Sequence, residues 1–234
     1  MPLGAKIGSV ISLQKSPLIR AISVGSLIDP PDEGETRILA ISRVQLDMAG
    51  ELYRYYLNCD EEGTEKFLQL YCDASGNVAE LLYCSRLARL IPESDEDQQA
   101  FMGENGSGLG DRSYTLWRQQ LAQSGMDDAR LDNVFFGAES LTYLRDCGDS
   151  EAEFIAPFRG SETRIDDASG EHGLQQDIVF MPYSRNLGNG EAMTEQLLIS
   201  TEILRSKNGD RTQRGIHVDL MIAIPIETER LLVQ

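Results

Sequence analysis

The pattern that most restricts the fold is a strict alternation near the end of the chain, between residues 216 and 226. Six aliphatic side chains occupy every second position there: Ile216, Val218, Leu220, Ile222, Ile224 and Ile226. Side chains of a β-strand alternate between the two faces of the sheet, so a register slip of one residue would turn all six toward water. The alternation predicts a strand whose aliphatic face closes the core. Its opposite face, with His217 and Asp219, is expected to be solvated.

A second strong pattern is a run of apolar segments between Glu35 and Pro92. Turn residues rich in Gly, Asn and Asp separate the segments, as expected for successive antiparallel strands. The sequence therefore predicts a four-stranded meander with the members Thr36–Leu46, Glu51–Leu57, Lys66–Cys72 and Val78–Leu87.

Shorter elements precede and follow this meander. Lys6–Leu13 alternates loosely and predicts a first strand, and Ser16-Pro17 predicts the start of a short helix over Leu18–Ile22. After residue 133 apolar segments recur, and we interpret them as further strands. They are Val134–Phe136, Leu141–Arg145, Phe154–Phe158, Asp177–Tyr183 and Gln196–Leu204.

Residues 93–133 differ from both neighbours and predict a helical insert. Ser94 precedes three carboxylates, which is typical of a capped helix N-terminus, here for a helix ending at Met102. Tyr114–Ser124 carries Leu116, Trp117 and Leu121 at helical spacing. Trp117 is the only tryptophan. It is expected either to pack in the core or to form a binding hot spot that faces a partner.

The insert also contains four glycines between Gly103 and Gly110, a composition that would suit a phosphate-binding loop. A P-loop needs Lys followed by Ser or Thr after its last glycine, and Asp111-Arg112 stands there instead. We therefore interpret this segment as a flexible connector.

Together these patterns predict an α+β, β-dominated fold, with two antiparallel β-rich parts (sandwich or barrel-like) and a helical insert between them. The 234 residues are sufficient for one globular domain that buries roughly 70 to 75% of its unfolded surface. Its expected sub-parts are residues 1–92, 93–133 and 134–234.

The net charge of −17 limits the possible partners. Such a surface repels phosphate backbones, so nucleic acid is not expected as a partner. No apolar run reaches the ~18 residues of a membrane-spanning helix, and residues 1–6 lack a secretory signal pattern. The sequence predicts a cytoplasmic protein that does not insert into membranes.

The cysteines and histidines offer little chemistry. None of the four cysteines forms a Cys-Xaa-Xaa-Cys pair, so Cys59, Cys72, Cys84 and Cys147 are predicted to be reduced packing residues. Of the two histidines, His172 lies in a glycine-flanked turn and is expected to face water. His217 is expected to hydrogen-bond Asp219 on the last strand.

One segment resembles the opening of a calcium loop, with oxygen ligands at alternate positions of Asn58–Gly63. The twelfth position is Gln69 where a bidentate glutamate is needed, which argues against calcium. The sequence therefore predicts no catalytic, cofactor-binding or metal-binding residue and favours a non-enzymatic protein.

Several strand segments resemble the YjfK-like family of uncharacterised bacterial proteins. They are Arg43–Leu46, Leu52–Tyr56, Phe67–Leu70, Met181–Leu187, Glu195–Ser200 and Gly215–Leu220. The resemblance covers nearly the full length, although the helical insert departs from the family pattern. It carries over no catalytic residue. It implies a cytosolic accessory protein in a bacterial envelope-stress or membrane-maintenance system, with protein partners that include membrane-associated ones.

Two functional hypotheses follow. The first is an interaction module that docks a protein partner through exposed sheet edges or the Trp117 segment. The second is a β-barrel or sandwich that holds a small ligand, such as a polyamine or a cationic peptide attracted by the negative charge.

Overall fold

The computed structural model describes residues 2–57, 64–166, 173–188, 193–204 and 215–234. Within these ranges the chain forms twelve antiparallel strands and four α-helices. The strands are β1 (Val10–Leu13), β2 (Glu35–Leu46), β3 (Glu51–Leu57), β4 (Lys66–Cys72), β5 (Val78–Leu90), β6 (Ser113–Trp117), β7 (Ser140–Arg145), β8 (Phe158–Ile165), β9 (Gln175–Leu187), β10 (Met193–Leu204), β11 (Gly215–Pro225) and β12 (Leu231–Val233). The helices are α1 (Ser16–Ser23), α2 (Asp95–Phe101), α3 (Arg118–Gln123) and α4 (Asp128–Phe135). The predicted β-dominated fold is confirmed.

Eight of the strands close into a barrel. Their order is β2-β3-β4-β5-β11-β10-β9-β8, and β8 pairs with β2 to complete the circle. The predicted meander supplies four neighbouring strands, and the second β-rich part supplies the other four. The two parts thus form one barrel, not two separate sheets.

Two long strands extend the sheet beyond the barrel. The start of β2 pairs with β1, which pairs with β12, while the rest of β2 pairs with β8. In the same way β9 pairs with β8 near its start and with β7 further along, and β7 pairs with β6.

The barrel strands bury apolar side chains on both faces. A cluster drawn only from barrel strands fills the interior: Ala40, Val44, Leu52, Tyr56, Phe67, Leu82, Cys84, Ile178, Phe180, Leu198, Met221 and Ala223. A larger cluster occupies the opposite face of these strands, where Leu18 of α1, Leu121 of α3 and Phe135 of α4 cover it. This double coverage explains why so much of the sheet is sequestered from water.

Strand β11 shows the consequence most clearly. Its aliphatic face packs in the outer cluster, as predicted, with Leu220 and Ile222 buried there. The expectation that its other face is solvated is wrong, because closure of the barrel encloses Asp219, Met221 and Ala223 as well.

The insert also differs from the sequence-based prediction. Tyr114–Ser124 is not one helix, because β6 pairs with β7 up to Trp117 and α3 begins at Arg118. Trp117 is 51% exposed, so the interpretation of this residue as part of the core is wrong. Residues 134–136 belong to α4 and its C-cap, not to a strand, and the strand predicted from Phe154 begins only at Phe158.

Other local predictions agree with the structure. Ser94 caps α2, its Oγ accepting a hydrogen bond from the Asp97 amide at 3.1 Å. Three of the four glycines in the glycine segment, however, are tightly packed, in contrast to the expected flexible connector. A Cβ on Gly108 would lie 2.3 Å from the Ala100 carbonyl oxygen, and one on Gly110 would lie 2.2 Å from that of Ile155. Among the helices described, none has the length and apolar character needed to cross a membrane.

Candidate functional site

Inside the barrel, polar side chains from all eight strands form a continuous group that we call the polar belt. Neighbouring strands place these residues side by side, for example Ser42 opposite Arg54 and Glu202 opposite His217. The members are Ser42, Arg54, Gln69, Arg89, Glu162, Gln176, Glu202, His217 and Asp219. The belt is therefore held by the most regular part of the fold.

Arg54 is the centre of the belt. Its Nη1 lies 3.2 Å from Glu162 Oε2 and 3.5 Å from Glu202 Oε1, and its Nε donates to Gln69 Oε1 at 3.2 Å. Strands β3 and β10 are four strands apart in either direction around the barrel, so Arg54 reaches across the interior. Its guanidinium also lies over the ring of Phe67.

The surrounding charges keep Arg54 ionised although it is fully buried. Burial acts to lower the pKa of Arg54, but the charge of Glu162, assisted by Glu202, outweighs it and raises the pKa. Tyr56 donates to Glu162 Oε1 at 2.8 Å. Burial and the Glu162 charge raise the pKa of this phenol well above its usual value, so Tyr56 stays neutral.

The far side of the belt contains His217, Glu202 and Asp219. His217 Nε2 lies 3.0 Å from Glu202 Oε2, while both oxygens of Asp219 accept from Arg89 at 2.7 and 2.6 Å. The expected His217–Asp219 hydrogen bond is thus wrong, because each side chain has another partner. Burial acts to raise the pKa of Glu202, but the hydrogen bond from His217 and the Arg54 charge lower it.

Exposure within the belt is graded from one end of the barrel to the interior. The side chain of Arg89 is 42% exposed, that of His217 is 13% exposed and that of Arg54 only 1% exposed. The belt therefore opens to solvent at one end, which we call the mouth.

Further charged residues line this mouth. Glu65 lies between two arginines, with Oε2 3.8 Å from Arg86 Nη1 and 3.9 Å from Arg164 Nη1. Arg164 stacks on the ring of Tyr56 at 4.2 Å from its centroid. Burial raises the pKa of Glu65, and the charges of Asp219 and Glu202 add to that effect.

Three buried atoms of the belt lack a hydrogen-bond partner among the described residues: Ser42 Oγ, Arg54 Nη2 and Gln176 Oε1. The amide orientation of Gln176 is defined, since its Nε2 donates to Glu162 at 2.9 Å. An unpartnered buried polar group costs about 1 to 3 kcal/mol, so the belt is not arranged for stability alone.

Glu195, another buried carboxylate, provides the contrast. It lies in the outer layer and accepts from Ser26 Oγ, the Leu27 amide, Tyr143 Oη and Arg185 Nε. All its hydrogen-bonding capacity is used to hold the segment before β2 against β9 and β10. We regard Glu195 as structural.

One group in the belt has the composition of a metal site. The ligand atoms of Glu202, His217 and Asp219 all lie within 4.8 Å of one another, the one such trio found in the described part of the chain. The sequence analysis predicted only a hydrogen-bonded pair of His217 and Asp219 and did not include Glu202.

The remaining sequence candidates lie elsewhere. Cys72, Cys84 and Cys147 are free thiols, and burial raises the pKa of each. Cys59, His172 and the calcium-like segment Asn58–Gly63 fall outside the described residues. Arg54, Glu162 and Gln176 were missed by the sequence analysis. The one signal in the sequence was the charge of Arg54 within an apolar and aromatic strand segment, which indicates a buried charged side chain. Its neighbours are Leu52, Tyr53, Tyr55 and Tyr56.

Comparisons with known proteins add no identification. No model of a known protein family matches the chain. Searches of curated proteins and of solved structures also found no significant match. The resemblance to the YjfK-like family therefore stays a prediction.

Proposed function

We propose that the protein binds a small anionic molecule at the mouth of its barrel. The observation that carries this proposal is the convergence of Arg86, Arg89 and Arg164 beside His217 at the open end of the polar belt. These groups gather in a chain whose net charge is −17, so their grouping is a local feature and not a general excess of cations.

The ion pairs already formed within the site count against a polyamine as its ligand. Among the described residues, the belt and mouth hold four arginines, Arg54, Arg86, Arg89 and Arg164, and five carboxylates, Glu65, Glu162, Glu202, Asp219 and Asp166, which pairs with Arg164. Each of these carboxylates already lies against an arginine. A polycation would therefore compete with these guanidiniums for carboxylates that are already paired.

Arginine geometry supports the same conclusion. A guanidinium presents a planar fork of donors that matches carboxylates and phosphates. Arg164 donates from Nε to Asp166 at 2.6 Å, but its Nη1 is 3.9 Å from Glu65, which is longer than a hydrogen bond, and stacking on Tyr56 holds the side chain in place. An incoming anion thus finds an oriented donor group.

Thermal unfolding of the full chain tests the proposal, with acetate, succinate, citrate and inorganic phosphate as probes at constant ionic strength. We expect at least one anion to raise Tm, and spermidine to leave it unchanged. A ligand at a hundred times its Kd adds about 2.7 kcal/mol of stability. The Arg164→Gln and Arg89→Gln variants should lose the shift.

Arg43→Gln is the matched control, because Arg43 is a half-exposed arginine paired with Glu51 outside the belt. An anion effect that is equal in Arg164→Gln and Arg43→Gln, or absent altogether, would overturn the proposal.

The interaction-module hypothesis is the second candidate, and exposed Trp117 on edge strand β6 favours it. Leu144, also exposed, lies on the same face of neighbouring β7. If no anion acts and a partner retained from native lysate by the wild type is lost in Trp117→Ser, this accessory role replaces the ligand-binding one.

A further inference from the structure

We propose that Glu202, His217 and Asp219 bind a divalent transition-metal ion at the inner edge of the mouth. This inference goes beyond the proposed anion binding and does not depend on it. The three side chains supply one imidazole nitrogen and two carboxylate groups, whose ligand atoms lie within 4.8 Å of one another. Three protein ligands with a further open position is the usual composition of a reactive zinc site.

The shortest distance in the trio suits shared coordination. His217 Nε2 and Glu202 Oε2 are 3.0 Å apart. Two ligands with metal bonds of about 2.1 Å are separated by roughly 3.0 to 3.4 Å in octahedral or tetrahedral geometry. The pair therefore needs little movement to exchange its mutual hydrogen bond for two bonds to one ion.

The backbone holds the three ligands on rigid elements. His217 and Asp219 are two residues apart on β11 and share its inward face, and Glu202 is the register partner of His217 on β10. Both strands lie between other strands of the barrel. Sites built on such strands are positioned more accurately than sites on loops.

The second layer around the trio also fits. Arg89 donates to both oxygens of Asp219, which fixes the carboxylate and leaves one lone pair on each oxygen. Metal-ligating carboxylates are commonly held in this way. Because Arg89 and Arg54 offset the two negative charges, we expect a moderate affinity, in the micromolar range.

Gln176 gives an independent indication that something binds here. Its buried side chain donates from Nε2 to Glu162 and lies close enough to Glu202 to help lower the pKa of that carboxyl, yet its Oε1 has no partner among the described residues. An amide oxygen next to a metal ligand can bind the ion or accept a hydrogen bond from a water on that ion.

Access and ligand type indicate which ion to expect. His217 is the least buried of the three side chains and faces the mouth, so an ion reaches it first. A mixed nitrogen and oxygen set with imidazole suits zinc, iron or nickel, whereas magnesium and calcium prefer oxygen alone. Zinc is therefore the probe of choice.

Nuclear magnetic resonance of the imidazole nitrogens gives a direct test on the wild-type chain, because the protein has only two histidines. Adding one equivalent of Zn²⁺ to chelator-treated protein should shift the ring nitrogens of His217. The His172→Gln variant assigns the two signals. An unchanged His217 ring would overturn the proposal even if no variant of the trio folds.

Calorimetric titration with Zn²⁺ then tests the other ligands. We expect one site whose affinity falls at least tenfold in His217→Gln and in Asp219→Asn. Glu80→Gln is the matched control, since Glu80 pairs with Gln196 elsewhere on the barrel strands and should leave the affinity unchanged. Equal affinity in all variants would refute the site, and a thiolate charge-transfer band with Co²⁺ would refute it by assigning binding to the cysteines.

Discussion

Arg54 is a fully buried charged residue at the centre of the belt. Its partners Glu162 and Glu202 compensate its charge, but replacing such buried ion pairs by apolar groups is often neutral or stabilising. Removing only one partner, by contrast, leaves a buried charge without compensation. Stability alone therefore does not explain why the interior contains these charges. A binding site within the barrel would explain them.

The Glu202 carboxylate makes the belt sensitive to acid. Its pKa is lowered in the folded state, so its contribution to stability is present above the unfolded value of about 4.5 and is lost as the pH falls through the lower folded value. Glu202→Gln removes this negative charge from between Arg54 and His217. We expect it to cost about 3 to 5 kcal/mol at pH 7 and clearly less near pH 3.5.

Urea unfolding of both proteins at the two pH values measures this difference. Glu51→Gln, on an exposed ion pair with Arg43 at the outer face of β2 and β3, should change stability little at either pH. A gap between wild type and Glu202→Gln that does not narrow in acid would show that the charge of Glu202 is not what stabilises the belt.

The residues of the belt could be predicted from the sequence only in part. His217 and Asp219 were correctly placed on one face of β11, because the period-two alternation determines which side chains share a face of a strand. That pattern does not reveal whether the less apolar face meets water or a barrel interior. Arg54 and Glu202 belong together only after β3 and β10 have been placed on opposite sides of the barrel.

At the scale of elements, β11 is buried on both faces and should respond accordingly. Leu220 packs in the outer cluster and Met221 in the interior cluster, each almost fully buried. Leu220→Ala and Met221→Ala should each cost about 2 to 5 kcal/mol, because both leave cavities in packed surroundings. Denaturant unfolding measures the loss of stability in each variant. Leu232→Ala is the control, because Leu232 is an exposed leucine of β12. A loss below about 1 kcal/mol for Met221→Ala would mean that the inner face is not packed.

The strand β6 and helix α3 illustrate how tertiary pairing overrides a local signal. Leu116, Trp117 and Leu121 have helical spacing, but Leu116 pairs with Leu141 of β7 and is held in a strand. The Gln120 side chain accepts from the Trp117 amide, so the helix begins only after the pairing ends. A partner strand more than twenty residues away is not visible in the local pattern.

At the scale of the whole molecule, the sequence predicted most strands but left sandwich and barrel as alternatives. Closure depends on β8, whose sequence has few strand-forming residues and which pairs with β2 across more than a hundred intervening residues. Such a pairing is decided by the shape of the complete sheet. Strongly alternating strands such as β11 were therefore predicted, and the weak strand that completes the barrel was predicted only at its first residue.

Gly160 is the residue through which this closure can be tested. It lies opposite Leu46 in the pairing of β8 with β2, and a Cβ at this position would stand 1.8 Å from the Gln45 carbonyl oxygen. Because backbone atoms cannot rotate away as a side chain can, Gly160→Ala must push the two strands apart. We expect a loss of about 1 to 3 kcal/mol, as for other overpacked sites, and faster amide hydrogen exchange along β8. Gly34→Ala is the control, since a Cβ there meets no atom within 4 Å. If Gly160→Ala matched Gly34→Ala in stability and kept the β8 amides protected, β8 would not be the strand that closes the barrel.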